Sequence, residues 1–413
     1  MWVKRSKLGV QTPIISTVAS SPSNTYDEMY FNTSDKFQFS TVYNNSQQAI
    51  RTTRVFRDTS AWYHIVFIYD TTNSTVTDHA QLWINGVRET SFEDTTLLAS
   101  GANDWESSWN KANNPMRIGY QSTNTASYFD GSMAVAEFVN NQVYVPTYFG
   151  STNTATGIWT PEASSTISDY GTNGYKLKMD TTSPGADTSG KSNTFTASGT
   201  PTLTQGNPQN NYATLNPLFA GDANITYSNG NLKTTAANAS QKNAVSTIGV
   251  SSGKWYCEMV SRNGTNYPGF GIMDSQSVLQ TSISYLGSSS DSYCMFQDGN
   301  YYTNGSASNT GTTWGVGSIM GLSIDLDSST KTIKFYKNGS QTHSATIATP
   351  VNDYVFAVSH NTNGTITEIN FGEGFFGTVA AGTNADGNGQ GLFAYAVPSG
   401  YYAMNTKNLE AYG

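Results

Sequence analysis

Residues that could perform catalysis are few in this chain. Ser251 lies in a G-x-S-x-G pattern, in which a serine nucleophile occupies a sharp turn between a strand and a helix. The residues from Lys254 onward instead have the composition of a strand, so we predict that Ser251 lies in an ordinary β-turn. Asp325 and Asp327 come closest to the paired carboxylates of glycan-hydrolysing sites, but no third carboxylate follows them. This pattern disfavours a secreted glycan-processing enzyme, and we predict a non-enzymatic protein.

Residues that could bind a metal are also dispersed. Cys257 and Cys294 each lie in an apolar, strand-like context, which predicts buried free thiols rather than a disulfide or a zinc site. Asp70, Asp130 and Asp327 could each supply oxygen ligands to calcium, but no D-x-D-x-D run is present. We favour turn capping for these aspartates and predict no cofactor, with calcium as the alternative.

Aromatic side chains give the best indication of ligand binding. Sugars stack their apolar faces on Trp and Tyr rings, while amides and hydroxyls bind the edges of the sugar. The predicted ligand-binding residues are Trp105, Trp109, Tyr293, Tyr301, Tyr302 and Trp314. The alternative is that these rings only pack over the sheet edges of their own domain. By contrast, Trp62, Trp83 and Trp255 lie in apolar runs and are predicted to be core residues.

The elements that position these residues are predicted to be strands. Residues 318–341 contain two apolar runs, the first with apolar residues on both faces, as in a central strand. The second run ends at Asn338-Gly339, a hairpin signal because both turn positions need positive φ. Residues 62–84, followed by Asn85-Gly86, repeat this arrangement. Two copies so far apart predict two β domains of related architecture.

Composition limits the class of protein. A chain of 413 residues is too long for one ordinary core, and only 12% of its residues are charged. Gly, Ser, Thr, Asn and Tyr are abundant and no long helical periodicity occurs, which predicts an all-β fold. The net charge of −8, without a basic cluster, argues against nucleic acid as a partner. No apolar run reaches the roughly 18 residues of a membrane span.

The first third of the chain resembles the LamG-like branch of the concanavalin A-like jelly rolls. The matching blocks follow the order of the family and read WVKRS, AWYHIVFIYD, LWINGV, RIGY and YFDGSMAVAEF. The resemblance implies a sandwich of two antiparallel sheets, which we assign to residues 1–180. The family usually has strands before the first block, so we expect either that the chain is a fragment of a longer polypeptide or that the strand at Trp2 leaves an open sheet edge. We expect the strand ending at Met179, or a neighbouring subunit, to cover that edge.

A second set of blocks resembles the successive strands of the SPRY domain. They read GKWYCEM, GFGIM, IMGLSIDLD, IKFYKNG, YVFAVS and INFG, and we assign residues 218–372 to this domain. Residues 181–217 have a linker composition, and residues 373–413 form a C-terminal extension. The predicted fold is therefore all-β, with two antiparallel β-sandwich (jelly-roll type) domains in tandem. SPRY domains commonly bind peptides or proteins through loops, so this resemblance leaves the ligand open.

The order of these parts resembles virion surface and tail-fibre proteins of tailed bacteriophages, of the marine and cyanophage type. The resemblance implies an adhesin on the virion surface that contacts other virion proteins and binds host-surface glycans. The alternative is a structural capsid or tail decoration protein that makes protein–protein contacts only. Because single-site sugar binding is weak, multivalent display is favoured, and we expect a homo-oligomer with a trimer favoured.

Overall fold

The structure is a computed structural model of the chain. It describes residues 1–19, 24–99, 107–111, 113–121, 127–154, 156–162, 167–180, 182–219, 224–237, 242–263, 267–278, 285–377 and 379–413. These residues form two compact units, Met1–Leu203 and Thr204–Gly413. In the described ranges nearly all regular structure is strand, and the longest helix has 7 residues. The all-β prediction with two sandwiches in tandem is therefore confirmed.

The first unit is built on two antiparallel sheets. The strands described in this unit are β1 (Trp2–Arg5), β2 (Thr12–Val18), β3 (Tyr26–Phe31), β4 (Lys36–Tyr43), β5 (Ser46–Val55), β6 (Tyr63–Tyr69), β7 (Ala80–Ile84), β8 (Val87–Arg88), β9 (Phe92–Asp94), β10 (Met116–Ile118), β11 (Gly131–Ala134), β12 (Ala136–Phe138), β13 (Gly150–Thr152), β14 (Trp159–Pro161) and β15 (Tyr175–Leu177). The short helix α1 (Thr96–Ala99) and single 3-10 turns at Val76–Asp78 and Pro146–Tyr148 lie between them.

The larger sheet of this unit has the order β10-β2-β3-β4-β5-β9, and the smaller has the order β11-β1-β6-β7-β8. Their facing sides bury an apolar core that includes Phe31, Phe37, Phe39, Ile50 and Leu82. Strands β12 and β15, and strands β13 and β14, form two further pairs.

The expected open edge at Trp2 is wrong. Strand β1 lies between β11 and β6, so both of its sides are hydrogen-bonded. The chain returns through Gly131 and places β11 beside β1, which removes the edge. The strand that ends near Met179 pairs with β12 instead.

The second unit is also built on two sheets. Its described strands are β16 (Ile225–Ser228), β17 (Lys233–Ala236), β18 (Lys242–Val250), β19 (Lys254–Ser261), β20 (Gly269–Asp274), β21 (Ser292–Phe296), β22 (Asn300–Thr303), β23 (Ser306–Asn309), β24 (Ile319–Asp325), β25 (Thr332–Lys337), β26 (Ser340–Thr346), β27 (Tyr354–His360), β28 (Ile366–Asn370), β29 (Phe375–Phe376), β30 (Val379–Ala380) and β31 (Tyr402–Ala403). Its helices are α2 (Ser275–Val278) and α3 (Thr406–Tyr412).

The first sheet of this unit has the order β16-β17-β28-β19-β24-β25-β26, with β31 beside β19. The second has the order β18-β27-β20-β21-β22-β23. The core between them includes Trp255, Phe270, Leu322, Phe335 and Phe356.

The central strand predicted within residues 318–341 is buried on both sides. Met320, Leu322 and Ile324 of β24 point into the core between the sheets. On the other side of this sheet, Tyr256 and Tyr336 pack in a second apolar cluster with C-terminal residues such as Phe393. The C-terminal segment, residues 373–413, therefore covers the outer face of this sheet as part of the second unit.

The predicted linker, residues 181–217, is divided between the units. Its first part belongs to the first unit, where the Asp187 carboxylate accepts hydrogen bonds from the backbone N–H groups of Lys176 and Asn193. Its last part belongs to the second unit, where Tyr212 and Leu215 are buried. The polar composition of this stretch is therefore not that of a free linker. Hydrogen bonds between the Asp187 carboxylate and backbone N–H groups hold its first part against the first unit.

The three tryptophans predicted to be core residues differ in burial. Trp255 is fully buried, as predicted. Trp62 and Trp83 are only half-buried. Because Leu82 and Ile84 occupy the inward positions of β7, the period of two places Trp83 on the opposite face.

The Asn-Gly turns have the backbone geometry that the sequence predicts. Asn338 and Gly339 have φ values of 49° and 82°, and Asn85 and Gly86 have values of 50° and 77°. We expect Gly339→Ala to destabilise the second unit by about 2–3 kcal/mol, since the left-handed backbone and a steric clash both oppose the new methyl group. A Cβ at Gly339 would lie 2.6 Å from Tyr395 Cδ1.

Gly230→Ala is the matched control for this substitution. Gly230 also follows an asparagine and has φ +68°, but its Cβ would meet no atom within 4 Å. We expect this variant to lose only about 1 kcal/mol, from backbone strain alone. Urea unfolding of both variants measures the difference, and equal losses would show that Tyr395 moves aside without cost.

Candidate functional site

The ligand-binding residues predicted in the first unit are Trp105 and Trp109. Trp105 lies outside the described residues. Trp109 is half-buried, and its ring packs edge-on against Phe39 and Phe67 at centroid distances of 5.4 and 6.1 Å. Its backbone N–H donates to the Asp27 carboxylate at 3.2 Å. The ring of Trp109 therefore borders the core of its own unit, and its role in ligand binding stays a prediction.

Three of the predicted aromatic residues of the second unit are core residues. Tyr293, Tyr301 and Trp314 are 5%, 6% and 3% exposed. Tyr293 and Tyr301 lie at inward positions of β21 and β22, and the Trp314 indole donates to the carbonyl oxygen of Phe296 at 3.1 Å. Their expected place on a ligand surface is wrong, because the sandwich interior encloses their ring faces.

Tyr302 is the predicted residue that the structure places in a pocket. It follows the inward-facing Tyr301 on β22, so its side chain projects from the outer face of the sheet. The pocket has a volume of about 260 Å³, near the lower end for small-ligand sites. We call it the aromatic pocket, and its lining residues are Tyr267, Tyr285, Phe296, Asp298, Tyr302 and Asn361.

Three rings of the aromatic pocket stand nearly perpendicular to one another. Tyr302 meets Phe296 at 5.3 Å and 80°, and it meets Tyr285 at 5.7 Å and 85°. Tyr285 and Phe296 complete the set at 6.4 Å and 66°. Such edge-to-face contacts fix the orientation of each ring. The pocket therefore has aromatic walls on more than one side.

A single carboxylate, Asp298, lies among these rings. It occupies the turn between β21 and β22, where its two oxygens accept from the backbone and side-chain nitrogens of Asn300 at 3.0 and 2.7 Å. Both bonds come from one neighbour, so the carboxylate is oriented while its remaining lone pairs stay available. In the described part of the chain Asp298 makes no ion pair, and the pocket lining contains no Lys, Arg or His.

The phenol of Tyr302 is held in its neutral form. Burial raises the pKa of Tyr302, and the nearby Asp298 carboxylate raises it further. Tyr302 therefore offers a hydroxyl that can both donate and accept hydrogen bonds. Asn361 adds an amide with the same two capabilities.

Tyr267 forms the exposed rim of the pocket. It is 48% exposed and has a positive φ of 42°, which is uncommon for a bulky residue. Such a backbone conformation costs on the order of 1–3 kcal/mol and tends to occur at binding sites.

Comparison with known proteins identifies both parts of the chain. Residues 1–142 match the family model of the concanavalin A-like lectin/glucanases superfamily, and residues 237–374 match the model of the SPRY domain. The chain carries a LamG-like domain followed by a SPRY domain. Both resemblances inferred from the sequence are therefore confirmed at the level of domains, and the aromatic pocket belongs to the SPRY domain.

Several solved structures are similar to this chain. The SPRY domain of human HERC1 is 18% identical, with 35% of this chain and 91% of that chain covered and a TM-score of 0.31. Another human SPRY domain has the same identity and TM-score and is covered over 94% of its length. Stonustoxin is 22% identical at a TM-score of 0.31, with 38% of this chain and 27% of that chain covered. No curated protein matches the chain.

Of the residues that line the aromatic pocket, only Tyr302 was predicted from the sequence to bind ligand. The alternation of side chains along a strand could have indicated Phe296 and Tyr302. Because Tyr293 and Tyr301 point into the core, Phe296 and Tyr302 lie on the opposite face of the sheet. Asn361 has no such signal, since it enters the pocket only because β27 pairs with β20.

The candidate catalytic residues Ser251 and Asp325 lie where strands meet turns. Ser251 lies in a bend that leads into β19, as predicted, and not into a helix. Asp325 accepts hydrogen bonds from the backbone N–H and the hydroxyl of Ser328. It also forms an ion pair with Lys254, with Nζ and Oδ2 3.0 Å apart. Burial opposes its ionisation, but these partners lower the pKa of Asp325 to about 2. This carboxylate is therefore a turn cap that is ionised at neutral pH.

The candidate metal ligands are placed separately. Asp70 caps its own turn by accepting from the N–H and hydroxyl of Thr72 at 3.0 and 2.6 Å. Among the residues that the structure describes, no group of three His, Cys, Asp or Glu side chains is arranged to hold a metal. Cys257 and Cys294 are buried free thiols, as predicted. Within the same residues, no helix has the length and apolar character of a membrane span.

Proposed function

We propose that this protein is a non-enzymatic adhesin of a phage virion, in a tail fibre or surface appendage, that binds host-surface glycans. A concanavalin A-like domain followed by a SPRY domain fits a binding role. The observation that carries glycan as the ligand is the aromatic pocket. It combines ring faces for stacking with a carboxylate, an amide and a phenol that can bind sugar hydroxyls.

The proposed place on the virion is supported only by the resemblance of the domain order to phage virion proteins, and the proposed multivalency is supported by the small size of the site. One pocket of about 260 Å³ has room for little more than one sugar ring, so its affinity for glycan is low. Several copies on one particle raise the avidity by orders of magnitude, which is the physical reason to propose a homo-oligomer, with a trimer favoured.

We expect Tyr302→Ala to weaken glycan binding about tenfold, because it removes a ring wall and a hydroxyl from the pocket. The measurement is a glycan array on the purified full chain, followed by calorimetric titration of the bound glycans with both proteins. Tyr267→Ala is a second variant with an exposed ring, so its loss of binding does not depend on folding.

Tyr128→Ala is the control, since this tyrosine is 65% exposed and lies in the LamG-like domain. We expect it to leave glycan binding unchanged. If no glycan binds the wild-type chain, the glycan proposal fails and a decoration protein with protein contacts only replaces it. If glycans bind but neither pocket variant weakens them, the aromatic pocket is not the site.

A further inference from the structure

The aromatic pocket of the SPRY domain has the composition of a site for a positively charged group. We propose that the glycan group it accepts is an ammonium, as in an amino sugar or a choline substituent. This inference rests on the proposed glycan-binding function and names the class of sugar.

The rings supply the first part of the argument. Tyr285 and Tyr302 line the pocket at 85° to each other, and Phe296, which is only 5% exposed, packs against both rings at 66° and 80°. Aromatic faces are negative and attract an ammonium within about 6 Å of the ring centroid. Recognition of quaternary ammonium groups by several aromatic rings uses the same attraction.

The carboxylate supplies the second part. Asp298 lies among the rings with two hydrogen bonds from Asn300 and no ion pair in the described part of the chain. A carboxylate that makes no ion pair can attract an opposite charge more strongly beside apolar rings than in bulk water. An ammonium in the pocket would supply that charge.

The alternatives fit the pocket less well. A neutral sugar can donate hydroxyl hydrogen bonds to Asp298 but leaves its charge uncompensated. An anionic sugar is repelled, because the lining residues that the structure describes include no cation. The net charge of −8 also favours the approach of cationic ligands over anionic ones. Charge therefore distinguishes ligands that share one sugar ring.

The test compares ligands with the same ring. Glucosamine, N-acetylglucosamine, glucuronic acid and choline are titrated into the full chain by calorimetry in mildly acidic buffer, where the amine is protonated. We expect glucosamine to bind about tenfold more tightly than N-acetylglucosamine, and glucuronic acid to bind more weakly than both. Choline separates a quaternary from a primary ammonium as the bound group.

Asp298→Asn tests the carboxylate itself. The asparagine oxygen can still accept from the backbone N–H of Asn300, so that bond of the turn is retained while the charge is lost. We expect the preference for glucosamine over N-acetylglucosamine to fall to less than about threefold. Glu410→Gln, which neutralises an exposed carboxylate on α3, is the matched control and should keep the preference.

The outcomes separate this inference from the proposed function. If glucosamine and N-acetylglucosamine bind equally, the ammonium inference is overturned and glycan binding stands. If no saccharide binds but choline does, and Asp298→Asn abolishes it, the ammonium site stands and the glycan proposal fails. A preference for glucosamine that survives Asp298→Asn would overturn the role of this carboxylate.

Discussion

Replacement of Asp35 by alanine is expected to lower the free energy of unfolding of the LamG-like domain by about 3–5 kcal/mol, because it leaves a buried arginine without its counter-charge. Arg5 is fully buried and Asp35 is 3% exposed. One Asp35 oxygen accepts from Arg5 Nη2 at 3.0 Å and from the Gly9 N–H at 2.8 Å, and the other accepts from Arg57 Nε at 3.0 Å.

The arginine has other partners, but they do not replace the carboxylate. Arg5 donates to the carbonyl oxygens of Phe56 and Lys7 at 2.6 and 3.1 Å and lies 4.4 Å from the ring centroid of Phe31. Carbonyls and a ring face carry only partial charge. Loss of Asp35 therefore leaves a full positive charge in the interior.

The pH dependence follows from the pKa of Asp35. Burial by itself raises this pKa, but the Gly9 N–H, Arg57 and Arg5 together lower it below the ordinary value. Because the pKa is lower in the folded state, the ionised carboxylate stabilises the protein above the unfolded-state pKa of about 3.9. This stabilisation is lost as the pH falls through the folded-state pKa. The stability difference between the wild type and Asp35→Asn should therefore narrow below about pH 4.

The measurement is urea unfolding of the full chain, followed by hydrogen exchange of peptides from β1 and β4. Asp35 has φ +61°, so alanine also introduces backbone strain there. Asn44→Ala, at an exposed residue with φ +47°, is the control for that strain and should lose at most about 1 kcal/mol. A loss at Asp35 no larger than this would show that Arg5 is solvated without it.

Replacement of Glu258 by alanine is expected to destabilise the SPRY unit by about 3 kcal/mol or more, because it leaves several buried donors without an acceptor. Glu258 is fully buried on β19. Its carboxylate accepts from the backbone N–H groups of Ala394 and Tyr395 at 2.9 and 3.0 Å and from the Tyr256 hydroxyl at 3.2 Å. Each unsatisfied buried donor costs on the order of 1–3 kcal/mol.

The loss should be concentrated in the C-terminal segment, residues 373–413, which this carboxylate ties to β19. Hydrogen exchange of the full chain tests this directly. We expect faster exchange of peptides around residues 389–403 than in the wild type, whereas Glu410→Ala, an exposed glutamate of α3, should leave their exchange unchanged. Unaltered exchange in Glu258→Ala would show that apolar packing alone holds the segment.

Burial also gives Glu258 a pH effect of opposite sign to that of Asp35. Burial raises its pKa, and the N–H groups of Ala394 and Tyr395 offset this only in part. Because the pKa is higher in the folded state, the protonated carboxyl group stabilises the protein below the unfolded-state pKa of about 4.3. This stabilisation is lost as the pH rises through the folded-state pKa. Glu258→Gln should remove this dependence while losing less stability than alanine.

Local features of the sequence determined the class of fold and many of its parts. The turn at Asn338-Gly339 follows from two adjacent residues that tolerate positive φ, and β24 follows from its alternating apolar residues. The order of the strand blocks was sufficient to identify both domains. These features depend on a few neighbouring residues, so a single sequence contains them.

Only the tertiary structure decided which aromatic rings are accessible and which residues meet. Tyr301 and Tyr302 are adjacent and chemically identical, yet one enters the core and the other lines a pocket, because the register of β22 against β21 sets the face. Asp298 and Asn361 line one pocket because β20 lies between β21 and β27. The placement of β1 between β11 and β6 likewise depends on residues at least 60 positions away. Such pairings are selected by the burial of a whole sheet face, so no local pattern specifies them.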